Sequence, residues 1–379
     1  MNEDSTRVPA RVAAAAIFFL SGLNVSTWVS RVPAVKDGLA ISEAELGLAL
    51  FCSAIGSMLT MPGWGALTAS WGSRPASLLA AVTAFGTVPL LALAPSLPWL
   101  MAALAVFGAT AGGLNVAMNA QAVAVETAYG RPILSSFHAL FSLGGMTGAA
   151  LGGWLAARGV SIWQHFAGCA IVYVLAACVA ARFLLPPSVD RQASHARFAW
   201  PSGPLLALGA LAGCVMSGEG AMGDWVALYL RDTVKTGEGT AALGYAVFSA
   251  GMVLGRFGGD FATARYGPRL LAQNCCALAA FGTALALSFL WAPVALIGFA
   301  LTGLGYSVIV PVVYAAAGRL SGVNAGVAIA TVSVTGFVGF LAGPPVIGFL
   351  AREITLRMAL FVLVLLSLAG VGFARRMPR

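Results

Sequence analysis

Two carboxylic acids, Glu219 and Asp224, lie inside a long apolar segment in the second half of the chain. A charged side chain within a bilayer costs at least about 2.5–3.5 kcal/mol, so such residues usually face an internal cavity and have a function. A carboxyl group kept away from water favours its neutral, protonated form. We therefore expect both acids to bind and release protons. The alternative is a structural hydrogen bond or an ion pair, for example with Arg31.

Asparagine and tryptophan side chains recur at helical spacing in two other apolar segments. Asn24 and Trp28 are four residues apart, as are Asn115 and Asn119, so each pair shares one helical face. An amide beside an indole suits a hydroxylated or zwitterionic small molecule. We predict that these four residues bind such a solute together with Glu219. The alternatives are an interfacial position for Trp28 and hydrogen bonds between helices for the asparagines.

One histidine is predicted to join the asparagines. Asn119 is seven residues before Glu126, and His138 is seven residues after Arg131. We therefore expect the two at similar depth, in a polar cluster with Asn115 and Gln121. A histidine titrates near neutral pH, and His138 is therefore a candidate for proton transfer. The alternative is hydrogen bonding between helices, worth about 0.6 kcal/mol per bond.

Five charged residues near the ends of apolar segments are predicted to open and close a cavity. Arg256 and Asp260 are four residues apart, and we expect them to pair with each other or with Glu126 or Arg319. Arg31 would act at the opposite end. The alternative for Arg256 and Asp260 is that they are ordinary interfacial charges.

Membrane-spanning helices must position these residues. Of 379 residues, 59% are hydrophobic and 9% are charged, and the mean hydropathy is +0.90. A spanning helix needs roughly 20 apolar residues, and segments of that length recur along the chain. The sequence predicts an all-α polytopic membrane protein whose twelve spans lie at 10–32, 44–69, 76–95, 97–125, 132–157, 162–185, 204–230, 241–262, 268–291, 293–317, 323–350 and 355–374.

Composition and motifs exclude several other classes of protein. The net charge of +8 comes from residues at the ends of apolar segments, so nucleic acid is not an expected partner. The sequence has no phosphate-binding glycine loop and no catalytic or metal-ligand spacing, so we predict neither enzyme activity nor a cofactor or metal. The six cysteines lie in apolar segments and are expected to be small hydrophobic residues.

A polar stretch near the middle divides the chain into two halves. We predict a six-helix bundle over 1–185, a cytoplasmic linker over 186–203 and a second six-helix bundle over 204–379. The halves share a pattern, since Trp28-Val29 and Trp225-Val226 precede matching Leu-Gly pairs by the same interval. Internal repeats of this kind are common in secondary transporters. The linker contains four charged or titratable residues: Asp190, Arg191, His195 and Arg197.

The distribution of basic residues predicts the orientation. With the N-terminus in the cytoplasm, roughly two thirds of the Lys and Arg residues lie on the cytoplasmic side. The first apolar run is long and continues into Arg31 and Pro33, so we expect a span rather than a signal peptide. We predict a monomer in the bacterial inner membrane, surrounded by lipid, with both termini cytoplasmic.

Five stretches give the chain a resemblance to a known family over essentially its full length. It resembles the bacterial major facilitator superfamily, and within it a poorly characterised branch of inner-membrane permeases. The resemblance implies two six-helix bundles, a central cavity and alternating access. The stretches are GGLNVAMNAQAVAVE (112–126), SSFHALFSLGG (135–145), GEGAMGDWVALYLRD (218–232), GMVLGRFGGDFATARYG (251–267) and GFLAGPPVIGFLA (339–351).

The sequence departs from the superfamily's pattern at two places. The signature loop after the second span keeps its glycines at Gly65 and Gly72, but Ala69 and Ser70 replace the usual acid and first base. The fourth span, 97–125, lacks the arginine that many proton-driven drug antiporters carry there. Multidrug antiport is therefore less expected.

These features lead to one main hypothesis and two alternatives. We expect secondary active or facilitative transport of a small polar solute by alternating access, with coupling to protons in the active case. The alternatives are efflux of a drug-like or lipid compound and a non-transporting sensor on the same fold. Helix-breaking residues inside the spans, Pro311 among them, would permit the necessary bending.

Overall fold

The computed structural model describes residues 3–190 and 203–377, and these ranges contain twelve helical segments long and apolar enough to cross a membrane. The predicted all-α, twelve-span fold is confirmed, and the protein is a multi-pass membrane protein. The helices are α1 (Glu3–Val29), α2 (Val32–Leu39), α3 (Glu43–Trp71), α4 (Ser73–Ala92), α5 (Leu97–Tyr129), α6 (Leu134–Ala157), α7 (Ile162–Ala181), α8 (Pro204–Leu228), α9 (Glu238–Tyr266), α10 (Pro268–Ser288), α11 (Ala292–Tyr306), α12 (Ile309–Gly318), α13 (Ala325–Glu353) and α14 (Leu356–Ala374).

The tenth span consists of two helices, α11 and α12, with a break at Ser307 and Val308. Pro311 explains the break, because proline has no N–H to donate to the carbonyl four residues earlier, which belongs to Ser307. The regular pattern resumes one residue later, where the N–H of Val312 donates to the carbonyl of Val308 at 3.0 Å. A carbonyl group inside the membrane is thereby left without its helical partner.

Two helices that follow loops begin with complete capping boxes. The Ser42 side chain accepts from the N–H of Glu45, and the Glu45 carboxylate accepts from the N–H of Ser42, at the start of α3. Ser161 and Gln164 make the same reciprocal pair at the start of α7. These side chains satisfy N–H groups that the first helical turn leaves without partners, and so they fix where each span begins.

The described residues divide into two compact units. The N-terminal unit comprises the described parts of Met1–Arg131, Phe137–Ala199 and Gly318–Ala330, and the C-terminal unit comprises those of Pro132–Ser136, Trp200–Ala317 and Thr331–Arg379. Two short segments are therefore exchanged between the units. Segment 132–136 lies in the first half of the chain but belongs to the C-terminal unit, and segment 318–330 lies in the second half but belongs to the N-terminal unit. Of the predicted linker, Arg191, His195 and Arg197 lie outside the described residues.

The backbone supports the repeat between the two halves. Non-glycine residues with positive φ occur at Ala40 (52°) and Lys235 (62°), which follow the first and seventh spans. Gly72 and Gly267, in the loops after the second and eighth spans, have φ of 90° and 77°. Positive φ is uncommon outside glycine, so its recurrence at equivalent positions indicates that both halves follow the same path.

Each unit also brings two helices together at equivalent glycines. In the N-terminal unit, α3 and α5 touch where Gly56 and Gly108 leave no room for a Cβ atom; in the C-terminal unit, Gly251 and Gly303 do the same for α9 and α11. Small residues at such crossings let helices pack closely in lipid, where no hydrophobic effect drives their association. A Cβ at these glycines would overlap the carbonyl oxygens of Ala105, Ser53, Ala300 and Phe248 respectively.

Candidate functional site

The acid with the strongest functional signature, Glu219, lies in α8 of the C-terminal unit. Its Oε1 atom is buried and has no hydrogen-bond partner. It lies roughly 22 Å along the helix from Pro204, within the hydrocarbon region expected for this span. Asp224, by contrast, is exposed and lies further toward the end of α8. The sequence placed both acids in one span, and the structure separates them by environment.

Arg256 on α9 is the cation whose charge acts on the Glu219 carboxyl. Its position follows from the break in the tenth span, because its Nε donates to the carbonyl oxygen of Ser307 at 3.4 Å. Pro311 leaves that carbonyl without its helical donor, and the guanidinium takes the vacant place. We refer to Glu219, Arg256 and Ser307 as the acid–base site.

Two tyrosines border the acid–base site. Tyr306 is fully buried, packs against Gly218 and shares a hydrogen bond of 2.8 Å with the hydroxyl of Ser367. Tyr245 is 48% exposed, and its ring stacks on Phe248 at 6.0 Å between centroids. Gly218 is needed here because any side chain would overlap the Tyr306 ring. This explains the glycine that directly precedes Glu219 in the sequence.

Asp260 has a different environment from Arg256, although both were predicted to form one latch. Its carboxylate accepts hydrogen bonds from the backbone N–H groups of Ser135 at 2.8 Å and Ser136 at 3.0 Å. These N–H groups belong to the first turn of α6, where an anion is stabilised by unpaired donors and the helix dipole. Asp260 therefore fastens the start of α6 within the C-terminal unit. Arg256, predicted to lie at the inner end of its span, lies roughly 15 Å along α9 from that end.

Glu126 and Arg319 form an ion pair with each other in the N-terminal unit, whereas the sequence had suggested each of them as a partner for Arg256 or Asp260. The carboxylate of Glu126 is buried, whereas the Arg319 side chain is about half exposed. The contact fastens segment 318–330 to the end of α5. Its role in opening and closing a cavity stays a prediction.

A second contact on segment 318–330 involves Asp190, a residue the sequence placed only in the linker. Its backbone carbonyl accepts from Asn324 Nδ2 at 3.2 Å, and both of its carboxylate oxygens accept from the N–H of Ser73 at 3.2 Å. Ser73 begins α4, directly after the signature loop that lacks its usual acid at Ala69. Asp190 thus brings a carboxylate to that loop from elsewhere in the chain, which sequence comparison of the loop alone does not reveal.

Burial raises the pKa of Asp190, and its hydrogen bonds with Ser73 oppose this rise. Burial and hydrogen bonding therefore shift the pKa of this carboxyl in opposite directions. Gly65 and Gly326 complete this region, because a Cβ on Gly326 would contact Thr68 and a Cβ on Gly65 would contact Ala330. The signature loop, the described residues at the start of the predicted linker and segment 318–330 are packed together in the N-terminal unit.

The predicted polar cluster forms around Asn119, which is fully buried. A ring nitrogen of His138, Nε2, lies 3.1 Å from Asn119 Oδ1, and Asn119 Nδ2 donates to the Asn115 carbonyl at 2.8 Å. The His138 ring also packs edge-on against Phe18. Gln121 contacts a different residue, since its Oε1 accepts from the hydroxyl of Ser73 at 2.5 Å. The cluster therefore comprises Asn115, Asn119 and His138 without Gln121.

Asn24 and Trp28 differ in their surroundings despite sharing a helical face. Asn24 is 2% exposed, and its Oδ1 atom is buried without a hydrogen-bond partner. Trp28 is buried in an apolar core and meets Phe166 edge-on at 6.4 Å. Its indole thus packs against hydrophobic side chains rather than beside an open cavity. Asn24 remains the better candidate for binding a polar solute.

Arg31 is buried at the break between α1 and α2, and its contacts lie within the N-terminal unit. Its Nε donates to His165 Nδ1 at 3.1 Å, and its Nη2 donates to the Val160 carbonyl at 3.0 Å. Since His165 Nδ1 accepts, Nε2 carries the proton, and that atom is buried without a partner. Among the residues the structure describes, no three His, Cys, Asp or Glu side chains come together as a metal site.

Comparisons with known proteins agree with this architecture. A family model described as Major Facilitator Superfamily matches residues 14–298. The chain is 37% identical to an uncharacterized MFS-type transporter of Yersinia pestis over 99% of its own length and 96% of that protein's. It is 32% identical to the membrane protein MosC of Rhizobium meliloti, over 94% of this chain and 88% of MosC.

Solved structures with the same fold cover nearly the whole chain. The crystal structure of the transporter FucP in the outward conformation matches with a TM-score of 0.78 at 16% identity, over 97% of this chain and 98% of FucP. The human organic anion transporter MFSD10 matches with a TM-score of 0.79 at 16% identity, over 97% of this chain and 99% of MFSD10. At these identities the likeness concerns the fold. Together with the family model and the bacterial relatives, it shows that the chain belongs to the major facilitator superfamily and is a membrane transporter rather than an enzyme.

Proposed function

We propose that this protein moves a small polar solute across the bacterial inner membrane by alternating access, and that Glu219 couples the movement to protons. The observation that carries the proposal is a carboxyl group in a spanning helix, one oxygen of which is buried without a hydrogen-bond partner, with an arginine charge acting on it. Both termini lie in the cytoplasm in this proposal, and the inner membrane is the site of transport.

Two opposing influences act on a carboxyl group in this position. The carboxylate loses hydration in the membrane but gains the attraction of Arg256. The protonated acid avoids the desolvation cost but loses that attraction. A change in access to water on either side of the membrane can therefore move a proton on or off Glu219. Coupling of a proton to transport requires a group with this balance.

The polar groups of the N-terminal unit support a polar rather than apolar solute. Asn24 Oδ1 is a buried acceptor without a donor, and an unsatisfied acceptor of this kind costs about 1–3 kcal/mol. A hydroxyl or amine of a solute would satisfy it. Asn115, Asn119 and His138 add further donors and acceptors in the same unit. A purely apolar compound would leave the Asn24 acceptor unpaired.

Movement of the solute requires contacts that open and close. We assign this role to the Glu126–Arg319 ion pair and to the bonds of Asp260 with the start of α6. The ion pair involves segment 318–330, and the Asp260 bonds involve segment 132–136. Each of these segments belongs to the unit formed mainly by the other half of the chain. Charge-assisted hydrogen bonds of this type are either formed or broken, so they suit a transporter that alternates between two states.

Reconstituted protein tests the coupling directly. A thermal-shift screen against sugars, amino acids, organic acids and nucleosides first identifies a solute, because a ligand that binds the folded state raises its apparent stability. In proteoliposomes with an imposed pH gradient, Glu219→Gln is expected to abolish accumulation of that solute while exchange at equal pH continues. Asp224→Asn, an exposed acid in the same helix, is the matched control and should accumulate the solute normally.

Accumulation by the Glu219→Gln variant at the wild-type level would remove Glu219 from the mechanism. A solute that binds but is neither accumulated nor exchanged by the wild type would instead favour the sensor alternative.

Efflux is a second candidate, favoured by one comparison. The multi-drug resistance efflux pump PmrA of Streptococcus pneumoniae is 28% identical over 142 residues, which is 36% of this chain. Inside-out vesicles discriminate the two, since an exporter driven by protons accumulates its substrate there. Uptake into right-side-out vesicles alone would exclude efflux.

A further inference from the structure

We propose that Arg11 and Arg131 bind the phosphate group of an anionic phospholipid beside the ring of Tyr129. The three residues lie in the N-terminal unit, where the end of α5 meets the early part of α1. The inference requires only that the chain lies in a membrane, so it does not depend on the proposed function or on the direction of transport.

The end of α5 determines where Arg131 lies. Tyr129 is the last residue of this helix, and Gly130 follows with a φ of 70°. The N–H of Gly130 donates to the carbonyls of Glu126 and Thr127, which closes the last turn. Glycine adopts this left-handed conformation at little cost, and it turns the chain sharply at the helix end. Arg131 therefore comes back over the ring of the residue two positions before it.

Two guanidinium groups from different elements lie over the same ring. The Cζ atom of Arg11 is 5.2 Å from the centre of the Tyr129 ring, and the Cζ atom of Arg131 is 5.5 Å from it. Both distances are within the range of cation–π attraction, about 6 Å. The ring thus holds two long, otherwise mobile side chains close to each other. A ligand that binds both loses less affinity to the ordering of side chains.

The two positive charges have no acidic counterpart. Within residues 3–190 and 203–377, no carboxylate forms an ion pair with Arg11 or Arg131. An aromatic ring is at most a weak hydrogen-bond acceptor, so the N–H donors of both guanidinium groups still need oxygen partners. Phosphate oxygens match the planar fork of arginine. A bound phosphate would also reduce the repulsion between the two like charges.

The surface beside Arg11 identifies the phosphate compound as a lipid. Val8 and Val12 are 57% and 63% exposed and lie four residues apart, on one face of α1. Acyl chains cover an exposed apolar face of this kind in a membrane, and anionic headgroups lie at the level of basic residues near the helix end. A phospholipid uses both features, whereas a soluble phosphate compound would use the arginines alone.

The net charge of the headgroup must be negative. Phosphatidylcholine and phosphatidylethanolamine carry a cationic group beside the phosphate, and two adjacent arginines repel that group. Phosphatidylglycerol carries the phosphate charge alone. Charge complementarity therefore favours an anionic lipid over a zwitterionic one.

A second arginine on an aromatic ring provides the comparison. The Cζ atom of Arg158 lies 4.7 Å from the ring centre of Trp154, and both side chains are exposed. In the described part of the chain, Trp154 has this one guanidinium neighbour, whereas Tyr129 has two. Arg158→Gln therefore removes the same charge without affecting a paired site.

Lipid titrations of the purified full-length protein in a non-ionic detergent test the site. The probes are dioleoyl-phosphatidylglycerol, dioleoyl-phosphatidylcholine with the same chains, and glycerol 3-phosphate as a headgroup without chains. Native mass spectrometry measures the affinity for the first bound lipid, and thermal unfolding measures the stabilisation that binding confers. The wild type is expected to bind the anionic lipid more tightly than the zwitterionic one and to be stabilised by it, whereas glycerol 3-phosphate should not stabilise it.

Substitutions at the two arginines and the ring assign the binding to this place. Arg11→Gln and Arg131→Gln should each weaken binding of phosphatidylglycerol about fivefold, since one basic residue near an anionic headgroup contributes about that factor. The double variant should bind the two lipids alike, and Arg158→Gln should keep the wild-type preference. Tyr129→Leu should weaken binding, whereas Tyr129→Phe, which keeps the ring, should not.

Four results would each overturn the inference. They are equal affinity of the wild type for both lipids, a preference for phosphatidylglycerol that survives in the double variant, a loss in Arg158→Gln as large as that in Arg131→Gln, and equal stabilisation by glycerol 3-phosphate. The last would show that a soluble anion occupies the site. Arg131 is exposed at the end of a helix, so Arg131→Gln decides the matter even where Arg11→Gln does not fold.

Discussion

At the scale of single residues, the informative positions are polar groups that lie within the membrane, away from water. Glu219 and Asn24 stand out in the sequence because each interrupts an apolar segment, and each has a buried oxygen without a partner in the structure. Arg256 and Asp190 could be seen in the sequence as charges, but their partners could not. Glu219 is far from Arg256 along the chain, and Ser73 is far from Asp190, so only the packing of helices brings them together.

Asp190 supports a prediction about pH. Burial raises the pKa of its carboxyl above the ordinary value, so the folded protein binds this proton more tightly than the unfolded chain does. The group therefore stabilises the fold below the pKa of the unfolded aspartate, and that contribution is lost as the pH rises through the raised pKa of the folded state. Asp190→Asn should remove this dependence.

The measurement is unfolding in detergent between about pH 4 and about pH 7. The stability of Asp190→Asn relative to the wild type should rise across this interval, whereas Asp37→Asn, at an exposed position, should track the wild type throughout. Parallel curves for Asp190→Asn and the wild type would show that this carboxyl does not titrate differently on folding.

At the scale of helices, hydropathy located all twelve spans because a bilayer demands long apolar segments. It did not locate the breaks. The break in the tenth span follows from a proline that the sequence shows plainly, but the use of the released carbonyl depends on α9, which supplies Arg256. The break between α1 and α2 is held by Arg31 through His165, a contact across most of the N-terminal half that no local pattern encodes.

Replacing Pro311 by alanine tests the break. Alanine restores an N–H that can donate to the Ser307 carbonyl, in competition with the Nε of Arg256. We expect thermal stability to be retained or increased and solute transport to fall several-fold, because Arg256 loses its anchor. Pro293→Ala is the control, since that proline lies in the first turn of α11, where no helical hydrogen bond is missing. Wild-type transport by Pro311→Ala would show that Arg256 does not depend on this carbonyl.

At the scale of the whole molecule, the repeat was predicted from a few matching residues and is supported by backbone geometry. Equivalent glycines cross at α3–α5 and α9–α11, and positive φ values recur after equivalent spans. The chemistry is not repeated to the same degree, since the acid–base site lies in the C-terminal unit and the asparagine–histidine cluster in the N-terminal unit. The two halves therefore share a backbone path but carry different polar side chains.

The orientation in the membrane is open to a labelling test. Arg158 and Arg131 are both exposed, in loops predicted to lie on opposite sides of the membrane. With the six native cysteines replaced, Arg158→Cys should react with an impermeant maleimide in intact spheroplasts, and Arg131→Cys only after lysis. The reverse pattern would place both termini outside.

The exchange of short segments between units has a consequence for how the protein is made. Segment 318–330 is synthesised late yet completes the unit built mostly from the earlier half, and 132–136 is synthesised early yet completes the later one. Neither half of the polypeptide, produced alone, contains every residue of one compact unit. The N-terminal unit is therefore complete only once residue 330 of 379 has been synthesised, and a chain truncated before segment 318–330 would present an unfilled surface to the cell's membrane proteases.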